Sequence, residues 1–166
     1  DVYKRQDQFY SSKRPQLYKS IIPTTWMELG TGFNGDTPID GLKYEYYLSQ
    51  GLHPYAAQGN TSTWTPKSAR PDLNNKNIEE YAHTIKFSYQ TGGLYSSASA
   101  YMQEYTNSNG ASTDVLLYNV HAKYEFENGL RLLAEYAAWD FDNPSNLTDD
   151  ASDTITNDEY AGYRLE

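Results

Sequence analysis

The chain has 166 residues, a formal net charge of −9 and no cysteine, and 17 of its residues are tyrosine. Its mean hydropathy is −0.81 and no apolar run approaches the ~18 residues of a membrane helix, which excludes a helical membrane protein. The lack of cysteine excludes disulfides and thiolate metal sites, and the acidic charge argues against nucleic-acid binding. An aromatic content of 15% indicates a folded chain, because disordered chains contain few aromatic residues.

Both ends of the chain are expected to be truncated. Residues 1–6, DVYKRQ, resemble the translated end of a transposon adaptor used to build shotgun sequencing libraries, and we predict that they are a scar of that adaptor. Residues 7–25 show no periodic pattern and are predicted to form a loop. The given sequence stops at Glu166, inside a predicted strand.

Three hairpins are predicted in the remainder of the chain, because apolar and polar residues alternate with the period of two that is typical of β-strands. The first joins residues 27–34 to 42–49 through a turn at 37–41. The second joins residues 81–90 to 94–105 through Thr91, Gly92 and Gly93. The third joins residues 115–126 to 130–141 through a turn that contains Asn128-Gly129, the residue pair that favours tight hairpin turns. A last strand is predicted to begin near Glu159.

The connections between these strands are predicted to alternate in length. Those near residues 40–41, 92–93 and 128–129 are short, whereas those at 50–77, 106–113 and 142–158 are long and polar. Alternating short turns and long loops are typical of a transmembrane β-barrel, and strands of nine to twelve residues suit the ~9–11 tilted residues that cross a bilayer. We therefore predict that the fold is all-β, an antiparallel up-and-down meander of about seven strands, with residues 26–166 forming part of a large transmembrane β-barrel. Tyr89, Tyr105, Trp26 and Trp139 are predicted to lie at the membrane–water boundary, which tyrosine and tryptophan favour.

Two stretches of the sequence point to a family. Residues 21–33, IIPTTWMELGTGF, and residues 42–52, LKYEYYLSQGL, resemble a segment of the phosphate-selective (polyphosphate-selective) porins of bacterial outer membranes. Residues 117–124, LYNVHAKY, and residues 129–132, GLRL, are also similar to this family. The resemblance covers about residues 15–166, and its specific part is the first stretch.

The resemblance implies a bacterial outer-membrane barrel of sixteen strands, of which this chain would supply about seven. It implies a homotrimer at full length, which passes small solutes and contacts outer-membrane lipid and lipopolysaccharide. Family members are expected to carry basic residues along the pore, and here both signs of charge are mixed.

One face of each strand would line the pore if the apolar face contacts lipid. Charged residues on such a wall set the ion preference of a channel, and most of them here are expected to neutralise one another across neighbouring strands. The predicted pore-lining residues are Glu28, Lys43, Glu45, Lys86, His121, Lys123, Glu125, Arg131, Glu135 and Arg164.

The long segment at residues 50–77 carries a second hypothesis. Loops of this length are usually functional or disordered, and a porin loop can fold inward and narrow the channel. Lys67 and Arg70 are candidates for such a constriction loop, and an external cover loop is the alternative.

The sequence contains no pattern typical of an enzyme, such as a nucleophile elbow, a phosphate-binding loop or a histidine pair at helical spacing. We predict no catalytic residue, no metal and no cofactor. The predicted function is passive diffusion of small hydrophilic solutes or anions through a porin in the bacterial outer membrane. The alternative is a soluble all-β carbohydrate-binding module, which would need an apolar core closed between two sheets.

Overall fold

The computed structural model describes residues 17, 21–22, 28–52, 81–106, 110–143 and 159–166. Seven strands lie in these ranges: β1 (Gly30–Asp36), β2 (Leu42–Gln50), β3 (Tyr81–Thr91), β4 (Leu94–Thr106), β5 (Ser112–Glu125), β6 (Arg131–Phe141) and β7 (Glu159–Leu165). They form one sheet in the order β1-β2-β3-β4-β5-β6-β7, and each neighbouring pair is antiparallel. This confirms the predicted all-β up-and-down meander. Within the described residues the sheet is open, with β1 and β7 at its edges.

The three short turns join the hairpins that the sequence predicts. Gly41, Gly92 and Gly129 have positive φ angles of 79°, 50° and 84°, a conformation that glycine adopts without steric cost. At Gly41 a side chain is also excluded by space, because its Cβ would lie 2.2 Å from the carbonyl oxygen of Gln90. The Gln90 amide donates a hydrogen bond to the Gly41 carbonyl at 2.9 Å, so this turn is fixed directly against β3.

One predicted connection is wrong in length. β4 and β5 pair as far as Thr106 and Ser112, so they are joined by residues 107–111 alone, a connection as short as the turn at 126–130. The polar residues at both strand ends are predicted from the sequence to form a loop. In the structure they continue the pairing of β4 with β5. Short and long connections therefore do not alternate strictly, and the two long connections are residues 51–80 and 142–158. Only the first two residues of each, 51–52 and 142–143, lie within the described residues.

The strand register separates the side chains into two faces. We call the first the apolar face, and two adjacent rows of directly paired residues cross all seven strands on it without a charged residue. The first row is Phe33, Tyr46, Ile85, Ala100, Tyr118, Ala138 and Ala161, and the second is Gly35, Tyr44, Phe87, Ala98, Val120, Tyr136 and Tyr163. We call the opposite face, on which Lys43, Glu45 and Lys86 lie, the polar face.

The buried core lies on the polar face, at the end of the sheet that carries the long connections. Trp139 and Phe141 are fully buried there and stack with ring centroids 5.9 Å apart. They pack with residues of β4 and β5 and with three residues outside the sheet, and the larger members of this cluster are Tyr101, Tyr105, Val115, Leu117, Leu17, Ile21 and Leu52. The core is therefore formed between one face of the sheet and chain segments that lie across it.

Two of the residues predicted at a membrane boundary belong to this core. Trp139 and Tyr105 lie on the polar face and are buried in the core, so the prediction that they lie at a membrane–water boundary is wrong for both. Tyr89 lies on the apolar face opposite Leu42, and Trp26 lies outside the described residues.

Within the segment predicted as loop, the structure describes a helical turn. The amides of Ile21 and Ile22 donate to the carbonyl of Leu17 at 3.0 and 2.9 Å. We call the three described residues Leu17, Ile21 and Ile22 the 17–22 turn. No helix in the described part of the chain has the length and apolar character needed to cross a membrane.

Candidate functional site

All ten predicted pore-lining residues lie on the polar face. Nine of them are strand residues that the register aligns on this face: Lys43, Glu45, Lys86, His121, Lys123, Glu125, Arg131, Glu135 and Arg164. Glu28 precedes β1, and its carboxylate accepts hydrogen bonds from the hydroxyls of Ser49 at 2.5 Å and Tyr101 at 3.4 Å. Lys67 and Arg70 lie outside the described residues, so the structure does not place the predicted constriction residues.

The first ion pair on this face joins Glu45 and Lys86. These residues are directly opposite in β2 and β3, and the Lys86 ammonium lies 2.7 Å from the Glu45 carboxylate. The two side chains are 29% and 34% exposed. The pair is therefore only partly screened by solvent, and each charge is compensated by its neighbour.

A second group of charges lies near the short turn between β5 and β6. The Glu125 carboxylate is 3.2 Å from the Arg131 guanidinium and 3.7 Å from the Lys123 ammonium. All three side chains are about two-fifths exposed, so solvent and salt screen this group. Exposed pairs of this kind typically contribute about 0–1 kcal/mol to stability.

The third group is the most buried. Glu135 and Arg164 are directly opposite in β6 and β7, with the guanidinium 4.0 Å from the carboxylate. Asn119 donates a side-chain amide hydrogen bond to Glu135 at 3.1 Å, and Arg164 also pairs with Glu166. The sequence does not identify the individual ion pairs. These three groups agree with the expectation that charges compensate one another across neighbouring strands.

The polar face is divided into two zones along the strands. The charged groups occupy the half of the face that is nearer the short turns, whereas the apolar core occupies the half that is nearer the long connections. A shallow cavity of about 230 Å³ lies at the short-turn end and is lined by Gln90, Gly92, Gly93, Leu94, Tyr95, Lys123 and Glu125. Within the charged zone, the group around Glu125 is open to solvent and the Glu135–Arg164 pair is buried, whereas the apolar zone is covered.

Gln103 is a residue of this face that the sequence reasoning missed. Its side-chain amide accepts a hydrogen bond from the Leu52 backbone amide at 2.7 Å and donates one to the Leu52 carbonyl at 3.0 Å. The Tyr101 hydroxyl donates to the same Gln103 oxygen at 2.9 Å. Gln103 therefore holds the chain across the polar face immediately after β2 ends.

A sequence signal for this cover does exist. Val115, Leu117, Trp139 and Phe141 are apolar residues on the polar face, which carries charged residues nearer the short turns. Apolar side chains on a face that otherwise contacts water are stabilised by a covering group that removes them from solvent. That signal indicates a cover without identifying which segment provides it.

The described residues contain no group of three or more His, Cys, Asp or Glu side chains arranged to hold a metal ion. The chemistry of the polar face is that of paired charges, hydroxyls and amides in contact with water. Such a surface can form hydrogen bonds with water and with other polar molecules.

Comparison with known proteins gives little additional information. No protein-family model matches the chain, and no solved structure matches it significantly. A curated relative, an uncharacterized protein of Aquifex aeolicus (strain VF5), is 29% identical over 135 residues. The match covers 80% of this chain and 28% of the relative, so the chain spans less than a third of that protein's length.

Proposed function

We propose that this chain is part of an outer-membrane porin that passes small hydrophilic solutes or anions by diffusion. The observation that carries the proposal is the uncharged belt on the apolar face. The two rows that cross all seven strands there contain no charged residue, while the charged strand residues at the same depth lie on the polar face. This distribution suits a sheet with acyl chains on one side and water on the other.

The belt is apolar and exposed at the same time. Phe33 is 59% exposed, Val120 is 51% exposed and Tyr163 is 77% exposed, and all three belong to the two rows of the belt. Contiguous apolar surface of this extent on a protein marks a contact with another protein or with a membrane. Since the belt continues across every strand, a surrounding bilayer accounts for it better than a local partner does.

Charged residues occur on the apolar face at one end of the strands. Glu104 and Asp114 are directly opposite each other at the long-connection end of β4 and β5, and Asp140 follows on β6. All three are exposed. In the proposed arrangement this end emerges from the hydrocarbon core into the headgroup region, where lipopolysaccharide contacts the barrel.

The open sheet supports a larger assembly. Unpaired backbone groups at a sheet edge cannot be left in a bilayer, so a transmembrane sheet has to close into a barrel. β1 and β7 each have one neighbour among the described strands. We propose that further strands complete the barrel to the sixteen of the phosphate-selective porins, and that the full-length protein is a homotrimer in the bacterial outer membrane.

The charges on the polar face favour a weakly selective pore. Lys86, Arg131 and Arg164 each lie beside a carboxylate, so this part of the wall has no unbroken basic row that would attract phosphate. Passive diffusion of small hydrophilic solutes, with at most a modest anion preference, is the function that this wall supports.

A carbohydrate-binding module is less well supported. That alternative needs a second layer sealed against the apolar face, and in the described residues the seven strands form a single sheet whose apolar face is exposed. Phe33 does contact both Tyr44 and Tyr46 on this face. They belong to the continuous belt and do not form a separate platform.

Reconstitution of the full-length protein into planar lipid bilayers tests the proposal. We expect stepwise conductance increases that stay open at low voltage, with a reversal potential near zero in a salt gradient. Protein that inserts into the bilayer without any conductance would refute the assignment as a porin. Protein that remains soluble without detergent and does not insert would refute the membrane assignment as well.

A further inference from the structure

The 17–22 turn is seated on the polar face of β6 and β7. The indole N–H of Trp139 donates a hydrogen bond to the Ile21 carbonyl at 2.8 Å. Leu17 and Ile21 are buried in the same cluster as Trp139 and Phe141. The turn is thus held by both a buried hydrogen bond and apolar contacts, which together favour one fixed position on the sheet.

Gly162 forms part of the surface on which this turn packs, and we call that surface the seat of the turn. It lies on the polar face opposite Ala137, and a Cβ at Gly162 would lie 2.9 Å from both Leu17 Cδ1 and Ile21 Cγ1. Glycine within a strand often marks a place where another part of the chain approaches closely. Here the missing side chain provides the space that the two aliphatic side chains fill.

A second segment covers the neighbouring strand. Gln103 of β4 holds the backbone of Leu52, and Leu52 is part of the same buried cluster as Ile21. The polar face of β4–β7 is therefore covered at the long-connection end by chain from two different regions of the sequence. The charged zone of the same face, around Lys123 and Glu125, keeps its exposure.

We propose that the 17–22 turn is an internal constriction that sets the size limit of the pore, with Trp139 and Gly162 as its seat. The inference rests on the proposed function, because the polar face is the pore wall only if the apolar face meets lipid. Any group packed on the wall occupies part of the channel cross-section. The turn narrows the channel at the long-connection end, and the solute then meets the wider charged zone.

The position of the turn can be tested by a disulfide in the full-length protein. The Cβ of Ile21 is one bond from a Cγ1 that lies 2.9 Å from the position of a Gly162 Cβ, which is compatible with the ~3.5–4.5 Å between Cβ atoms in disulfides. We expect Ile21→Cys with Gly162→Cys to cross-link under mild oxidation in native membranes. Ile21→Cys with Ala161→Cys is the matched control, because Ala161 lies on the apolar face, and it should not cross-link.

The effect of the turn on the pore is tested by Gly162→Val. A side chain at this position displaces Leu17 and Ile21 from the seat, so we expect a larger single-channel conductance and entry of larger neutral sugars into proteoliposomes. Ala161→Val adds the same side chain on the apolar face and should leave both measurements unchanged. Leu17→Ala with Ile21→Ala leaves every strand intact and gives the same readout if Gly162→Val does not insert.

The outcomes separate this inference from the porin assignment. Absence of the Ile21–Gly162 cross-link would overturn the proposed position of the turn. A cross-link together with unchanged conductance and sugar entry in the seat variants would show that the turn does not limit the pore, and would also overturn the inference. A wild-type protein that forms no channel refutes the porin assignment itself, and the cross-link then still reports where the turn lies.

Discussion

The side-chain amide of Gln103 binds the backbone of Leu52 as a neighbouring strand would, with one hydrogen bond donated and one accepted. Gly51 allows this approach, because a Cβ there would lie 2.5 Å from the Gln103 side-chain carbonyl carbon. The connection that follows β2 therefore begins across the polar face and is held there from its first residues. A buried amide that completes two backbone hydrogen bonds stabilises one path of the chain over others.

Gln103→Leu is expected to destabilise the protein. The substitution leaves the buried Leu52 carbonyl without its donor and removes one of the two acceptors that face the Leu52 amide. An unsatisfied buried polar group costs about 1–3 kcal/mol, so we expect the free energy of unfolding to fall by about that amount. The measurement is denaturant unfolding of the protein in detergent micelles or lipid vesicles.

Gln90→Leu is the matched control for this experiment. Gln90 lies on the same face at the short-turn end, and its side chain is exposed, so the same substitution there should change stability much less. Equal losses for the two variants would mean that the hydrogen bonds to Leu52 contribute nothing specific.

Adjacent residues of β5 provide a test of the two faces. Val120 lies in the middle of the uncharged belt, and His121 lies on the polar face opposite Glu135. An arginine that faces lipid near the bilayer midplane costs about 2–4 kcal/mol. Val120→Arg should therefore reduce insertion into vesicles strongly, whereas His121→Arg should insert like the wild type, as measured by vesicle flotation and by heat-modifiable mobility on gels.

The same pair of variants can contradict the membrane orientation of the sheet. If His121→Arg prevents insertion and Val120→Arg does not, the polar face is the one in contact with lipid. Equal insertion of both variants would indicate that neither face is embedded.

Breaking the Glu45–Lys86 pair is expected to change ion selectivity more than stability. Lys86→Met leaves the Glu45 carboxylate without the ammonium that lies 2.7 Å from it, so the local charge of the wall becomes negative. We expect the reversal potential in a salt gradient to move toward cation preference. Since the pair is about one-third exposed, its loss should lower stability by less than ~1 kcal/mol.

The double variant Glu45→Gln with Lys86→Met is the control for that shift. It removes both charges and should return the reversal potential to the wild-type value. A double variant that keeps the shift of Lys86→Met would show that the lysine acts through some other contact.

The sequence correctly predicts on which face of the sheet the strand side chains lie. Side chains alternate between the two faces with a period of two, and this pattern needs no tertiary information. Lys43, Glu45 and Lys86 alternate with apolar residues in a pattern that a one-residue slip would reverse. The hairpin turns were also predictable, since Gly41 and Gly129 have the positive φ angles that such turns require. Register within a hairpin then follows from the turn.

The cover on the polar face could not be predicted in the same way. Trp139 reads from the sequence as an aromatic residue near a strand end, which is typical of a membrane boundary. Its burial depends on Ile21, which precedes it by 118 positions, and no local pattern encodes a contact over that separation. The prediction of a long β4–β5 connection failed for a related reason. Polar residues at the two strand ends pair with each other once the register is fixed, and no local pattern indicates this pairing.

Charge reversal in the connection after β2 tests whether it enters the pore. The structure holds the start of this connection on the polar face through Leu52, and Lys67 and Arg70 follow in the same connection, outside the described residues. If these two residues reach the channel, Lys67→Glu with Arg70→Glu should shift the reversal potential toward cations, and Lys67→Gln with Arg70→Gln should give a smaller shift in the same direction. The shift should diminish in high salt, because the Debye length falls to about 3 Å at 1 M. An unchanged reversal potential at low salt would place both residues outside the pore and leave the alternative of an external cover loop.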